Sequence, residues 1–177
     1  IRDLDADIRF ELSSLTVDAK RGSILGATLG PTKLTIADLR AEPPVLTVEG
    51  SASGPVTEFL AFVAQTPIAA WTKHALDGVQ ATGDARLALR FDLPLGAADR
   101  TTVAGELALD NNGFTVAGVP PLTDVTGRIL LSETGVSATD VAARAFGGPV
   151  KFSVGNADGG LRVTARGNAD MQVVRAE

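Results

Sequence analysis

The stretch Ala85-Arg-Leu87-Ala-Leu89-Arg-Phe91-Asp-Leu93-Pro94 decides the fold class. Ala85, Leu87, Leu89, Phe91 and Leu93 are apolar, and Arg86, Arg90 and Asp92 fall between them. A period of two puts the two sets on opposite faces of a β-strand, one greasy and one wet. Pro94, which cannot donate to a ladder, stops the run. The same alternation governs Leu4–Leu12, where Leu4, Ala6, Ile8, Phe10 and Leu12 oppose Asp5, Asp7, Arg9 and Glu11. Further strands are expected at Leu15–Ala19, Ile24–Leu29, Leu34–Leu39 and Val45–Ser53, punctuated by Gly22, Gly30-Pro31 and Glu42-Pro43-Pro44. Beyond Pro94 the pattern continues through Val103, Leu107 and Leu109. Asp110-Asn111-Asn112-Gly113 then predicts a hairpin turn, since Asn-Gly supplies positive φ cheaply, and Phe114 and Val116 return from it. Val125–Leu131, Val136–Val141 and a hairpin of Val150–Val154 with Leu161–Ala165 across Ala157–Gly160 follow, and Met171 and Val173 start a last strand. Gly83, Gly105 and Gly127 each read as the opening of a strand, 22 residues apart, as in a weakly repetitive antiparallel meander.

One segment breaks this pattern. In Gly54–Gly78, Val56, Leu60 and Val63 recur at helical spacing with Phe59 beside them. Thr66-Pro67 reads as a cap and first position of a second short helix, with Ile68, Trp71, Ala75 and Leu76 as its apolar stripe. Lys73 and His74 suit its last turn, and Gly78 ends it. The expectation is a mainly β chain, an antiparallel meander forming a curled amphipathic sheet, open as a groove or closed as a sandwich. Two short helices are inserted near residues 55–77. The chain divides into N-terminal strands (1–53), a helical insert (54–78) and a C-terminal meander (83–177), all one segment of a longer polypeptide.

Composition narrows the chemistry. A net charge of −5 disfavours nucleic acid and electrostatic docking on anionic headgroups. There is no cysteine, hence no disulfide framework and no thiolate metal site. No apolar run is long enough to span a bilayer as a helix; the greasiest, Phe59–Trp71, is interrupted by Gln65, Thr66 and Pro67. Asp3, Asp5 and Asp7 resemble the start of a calcium loop, but Ile8 and Ser14 stand where that loop needs glycine and glutamate. His74, the single histidine, leaves little for a zinc site or a serine triad. Gly26-x-x-x-Gly30-Pro-Thr-Lys33 lacks the Gly-Lys-Ser/Thr core of a phosphate loop, and Gly147-Gly148-Pro149 reads as a turn between strands. There is no tyrosine and only one tryptophan, so sugar or base stacking is poorly served. No catalytic residue, metal ligand or cofactor motif emerges.

Several phrases, in order, resemble one family. They are Leu46-Thr-Val-Glu-Gly50, Gly54-Pro…Phe59-Leu60…Thr66-Pro67-Ile68, and Gly83…Leu87-x-Leu89-x-Phe91-x-Leu93-Pro94-Leu95. Thr102-Val103-x-Gly105-x-Leu107, Pro120-x-Leu122-x-x-Val125-x-Gly127-x-Ile129 and Ala143-x-Ala145-Phe146-Gly147-Gly148-Pro149-Val150 continue the series. Together they resemble the AsmA-like proteins of the YhdP type. The resemblance implies a long envelope protein of Gram-negative bacteria, anchored in the inner membrane by a helix outside this segment. It also implies a periplasmic β-trough along which phospholipid acyl chains move towards the outer membrane, adjacent segments of the same chain as partners, and no catalytic residues. The lining would then be the apolar alternants of the post-helix half: Leu87, Leu89, Phe91, Leu107, Leu109, Phe114, Val116, Ile129, Leu131, Phe152 and Val154. The rival is a sealed β-sandwich of adhesin or scaffold type, which would bury Leu89, Leu109 and Ile129 against a facing sheet.

Overall fold

The structure is a computed structural model that describes residues 2–64, 76–157 and 160–167. Its strands are β1 (Arg2–Glu11), β2 (Ser14–Ile24), β3 (Ala27–Ile36), β4 (Val45–Pro55), β5 (Gln80–Thr82), β6 (Asp84–Pro94), β7 (Thr102–Val116), β8 (Val119–Ser132), β9 (Gly135–Ala145), β10 (Gly148–Ala157) and β11 (Gly160–Gly167). The helix α1 (Val56–Ala64) lies between β4 and β5. The strands pair antiparallel in the order β1-β2-β3-β4-β6-β7-β8-β9-β10-β11, with β5 beside β7, in one curled sheet that does not close on itself. No second sheet faces it among the described residues, so the sandwich alternative falls away.

The period-two pattern accounts for the ladders. The predicted first helix appears at Val56–Ala64, whereas Thr66, Pro67, Trp71, Lys73 and His74 lie outside the described residues, as do Met171 and Val173. The hairpin across Ala157–Gly160 forms with Phe152 opposite Ala165 and Val154 opposite Val163.

Two expectations fail for one reason. Asp110-Asn111-Asn112-Gly113 is not a turn, because β7 runs straight through it and reverses only after Val116. Ile24–Leu29 and Leu34–Leu39 are not separate strands either, because β3 runs through Gly30-Pro31 and ends at Ile36. Both sites are bulges: the register slips between Leu109 and Asn112 on β7, and between Leu29 and Thr32 on β3. A bulge and a hairpin turn need the same residues, namely those that tolerate positive φ or forgo a ladder bond. Asn111, Asp124 and Asp140 all sit at positive φ, on β7, β8 and β9 respectively, at or next to breaks in ladder register. The bulges therefore form a crease crossing adjacent strands, and bulges bend a strand and raise its twist.

The three periodic glycines do not share a role as strand openers. Gly83 (φ +89°) is a corner between β5 and β6, where a Cβ would meet the Asn112 amide nitrogen at 2.7 Å. Gly105 lies inside β7, where its missing side chain leaves room for Leu89 and Leu131. Gly127 lies inside β8.

The corner is locked through its carbonyls. Asn112, fully buried, donates from Nδ2 to the Thr82 oxygen (3.2 Å) and the Asp84 oxygen (3.0 Å), while its Oδ1 accepts the Asp110 N–H (2.8 Å). The Gly83 oxygen between them accepts the Val56 N–H at 3.0 Å, which fixes the start of α1. Above this corner Val56, Ala81, Ala85, Leu109, Val125, Ala138, Val141 and Ala143 form the one buried cluster described, with Phe59 and Leu60 of α1 packed against it.

Replacing Asn112 with alanine strands two carbonyls and one N–H in an apolar setting, and should cost about 3 kcal/mol in urea unfolding. Asn111→Gly, at a positive-φ exposed position, should change stability by less than about 1 kcal/mol.

Candidate functional site

Residues directly opposite in an antiparallel ladder point to the same face, so the register assigns every side chain. Gly22, Leu29, Ala52, Leu87, Leu107, Ile129, Ala138, Val154 and Val163 are successive partners from β2 to β11. A parallel row links Ile8, Val17, Leu34, Val48, Phe91 and Val103, and another links Phe10, Leu15, Ile36, Leu46 and Leu93. The result is a single apolar face crossing the whole sheet.

The predicted lining residues fall on this face with different surroundings. Leu87, Leu89, Phe91 and Leu131 are half-buried, with no facing layer among the described residues, whereas Leu107 and Ile129 are half-buried against the cluster that α1 joins. Phe114, Phe152 and Val154 are half-buried against the α1 cluster. Leu109 is only 4% exposed within that cluster, so it is core. Val116 is exposed, beside the turn into β8. The post-helix half is not the whole face: Ile8, Phe10, Val17, Leu34, Leu46 and Val48 extend it across the N-terminal strands. Their alternation was visible in the sequence, but only the register shows that they share a face with Leu87.

The opposite face is charged. Asp18 and Lys33 are ladder partners, as are Glu49 and Arg90, and each pair makes an ion contact (3.9 and 3.5 Å). Arg128–Glu106 (3.4 Å) and Lys20–Asp7 (2.9 Å) add further cross-strand pairs. Lys20 holds the Asp7 carboxyl below the usual carboxylate range by hydrogen bond and charge, and Asp7 raises the Lys20 ammonium in return. At the β8–β9 turn the Glu133 carboxyl is lowered because it accepts backbone N–H groups, chiefly that of Val103. Exposed pairs of this kind stabilise little individually; their effect is to keep this face in water. A broad open depression of about 890 Å³ is lined by Asp18, Lys20, Lys33, Glu49, Arg90 and Glu106 together with Gly50, Ala88, Leu89, Ala104 and Gly105.

Among the described residues no group of His, Cys, Asp and Glu side chains converges on a metal-sized site. No described helix is long and apolar enough to cross a membrane. The arrangement offers an aliphatic surface without directional demands.

A family model described as YhdP protein matches residues 1–177. The chain belongs to the YhdP family. No curated protein and no solved structure matches it. Family membership agrees with the open β architecture expected from the resemblance.

The two environments on the apolar face separate under mutation. Leu109→Asp buries an unpaired charge and should cost about 4 kcal/mol or more, enough to unfold a marginal domain. Leu89→Asp, on the uncovered part, should cost about 1 kcal/mol in the same urea titration.

Proposed function

We propose that this chain is a non-enzymatic segment of a periplasmic envelope protein that shields phospholipid acyl chains on its apolar face during transport between the inner and outer membranes. One observation carries the reading: an unbroken row of aliphatic side chains, from Leu29 to Val163, crosses from β3 to β11 with no second sheet over it among the described residues. Contiguous apolar surface on this scale is costly to leave in water, and soluble proteins reserve it for an interaction. Hydrocarbon is the matching occupant, because the surface presents methyl groups and no directed polar partner. A surface of methyl groups without a directed polar partner suits a ligand that slides. Membership of the YhdP family supports the same reading. The membrane anchor belongs to other parts of the polypeptide, and neighbouring segments would extend the trough.

Native mass spectrometry of the purified chain tests this. Phospholipid should accompany the wild type and be lost from a Leu89→Asp, Val48→Asp variant that keeps its β-sheet circular dichroism spectrum. A lipid-free mass that takes up no added phospholipid would sink the proposal.

A further inference from the structure

Asn112-Gly113 is the one Asn-Gly step in the chain, and such a step carries its own chemistry. The backbone nitrogen after an asparagine, once it has lost its proton, attacks the side-chain carbonyl carbon, and a following glycine has no side chain to hinder the approach. A C–N bond forms, ammonia leaves, and a five-membered succinimide results. Water then opens the ring at either carbonyl, giving aspartate or isoaspartate. The sum is amide and water in, carboxylate and ammonium out, with no change of oxidation state.

Packing fixes both residues of this step. Gly113 pairs with Thr82 of β5, and a Cβ on it would meet the Thr82 Oγ1 at 2.6 Å. Asn112 is required by the Thr82 and Asp84 oxygens, to which its Nδ2 donates at 3.2 and 3.0 Å. The same packing restrains the reaction. Asn112 is fully buried, and its Oδ1 also accepts the Asp110 N–H at 2.8 Å. With both ends of the amide held, its carbon cannot swing towards the Gly113 nitrogen while the corner stays closed. Asn111 is the natural comparison: it is exposed, but the residue after it is Asn112, whose side chain hinders the attack.

We infer that Asn112 is a deamidation site gated by the β5–β6 corner, and that its conversion releases α1 irreversibly. The product keeps no amide donor. Its carboxylate sets acceptor oxygens against the Thr82 and Asp84 carbonyls in a site closed to water, where an unpaired charge is costly. Isoaspartate adds a main-chain methylene to β7 as well, which breaks the ladder there. Either product disturbs the corner whose Gly83 oxygen accepts the Val56 N–H at 3.0 Å. Val56, Phe59 and Leu60 then lose their footing on the buried cluster, and the surface they cover joins the open apolar face.

Peptide mapping by mass spectrometry tests both halves. The purified chain and a synthetic peptide of residues 109–116 are held in warm, mildly alkaline buffer. Asn112 in the folded chain should convert on the order of a hundredfold more slowly than in the peptide, because it waits for the corner to open. Gly83→Ala, whose Cβ would meet the Asn112 Nδ2 at 2.7 Å, should recover at least about tenfold of that rate if it keeps its circular dichroism spectrum. Urea supplies the same opening in the wild type, and conversion should accelerate well below the unfolding midpoint. A folded chain that converts as fast as the peptide, or a rate that stays flat until global unfolding, would overturn the gate. Wild-type chain converted in urea and returned to buffer then tests the release: amide exchange at Val56 should be at least about tenfold faster than in unconverted chain treated alike. An unchanged Val56 exchange rate would overturn it.

Discussion

The structure depends on a corner three residues long. Thr82, Gly83 and Asp84 take the chain out of β5 and into β6, and every carbonyl of that corner is held: two by the Asn112 amide and one by the first N–H of α1. A buried amide with its donor and acceptor paired across strands is worth more than its bonds counted singly, because each group would otherwise be desolvated without a partner. Here the lock does two things at once. It fixes the bulge on β7 from which the crease continues through Asp124 and Asp140, and it sets α1 over the apolar face. Without a crease, a sheet this wide would carry its greasy surface as an unsheltered plane. With it, part of that surface becomes a packed core and the rest stays uncovered among the described residues.

This division explains how one layer can be stable and still leave apolar surface uncovered. The fully buried side chains Val56, Val125, Val141 and Asn112 gather at the crease. Away from it, aliphatic neighbours cover one another only partly, and cross-strand pairing supplies the cohesion. The charged face has no such division: its ion pairs spread from β1 to β9, keeping that side wet. Packing, electrostatics and the proposed role in lipid shielding thus share one geometry, in which the greasy face is the site and no individual residue is.

Much of this was legible in the sequence. Period-two runs such as Ala85–Leu93 gave the strands and their wet and dry sides, and Val56, Leu60 and Val63 marked the helix where it stands. What local pattern could not resolve was the difference between a turn and a bulge. Asp110-Asn111-Asn112-Gly113 has the chemistry of both, and the choice is made by Thr82 and Asp84, some thirty residues away, whose carbonyls need the Asn112 amide. Gly30-Pro31 misled in the same way. The candidate face was half seen. Alternation named its members in each strand, but joining Ile8 or Val48 to Leu87 requires the register, which the sequence does not carry locally. Likewise Leu109 and Leu89 look identical in the pattern, and only the placement of α1 makes one a core residue and the other a surface one.

Solvent paramagnetic relaxation of methyl groups tests the central claim most directly. With a soluble gadolinium chelate, the methyls of Leu89 and Leu131 should relax strongly in the lipid-free chain, whereas those of Leu109 and Val125 should not. Added phospholipid should then protect Leu89 and Leu131 alone. Equal protection of Leu89 and Leu109 before any lipid is added would contradict the account, because it would mean that the apolar face is already sealed.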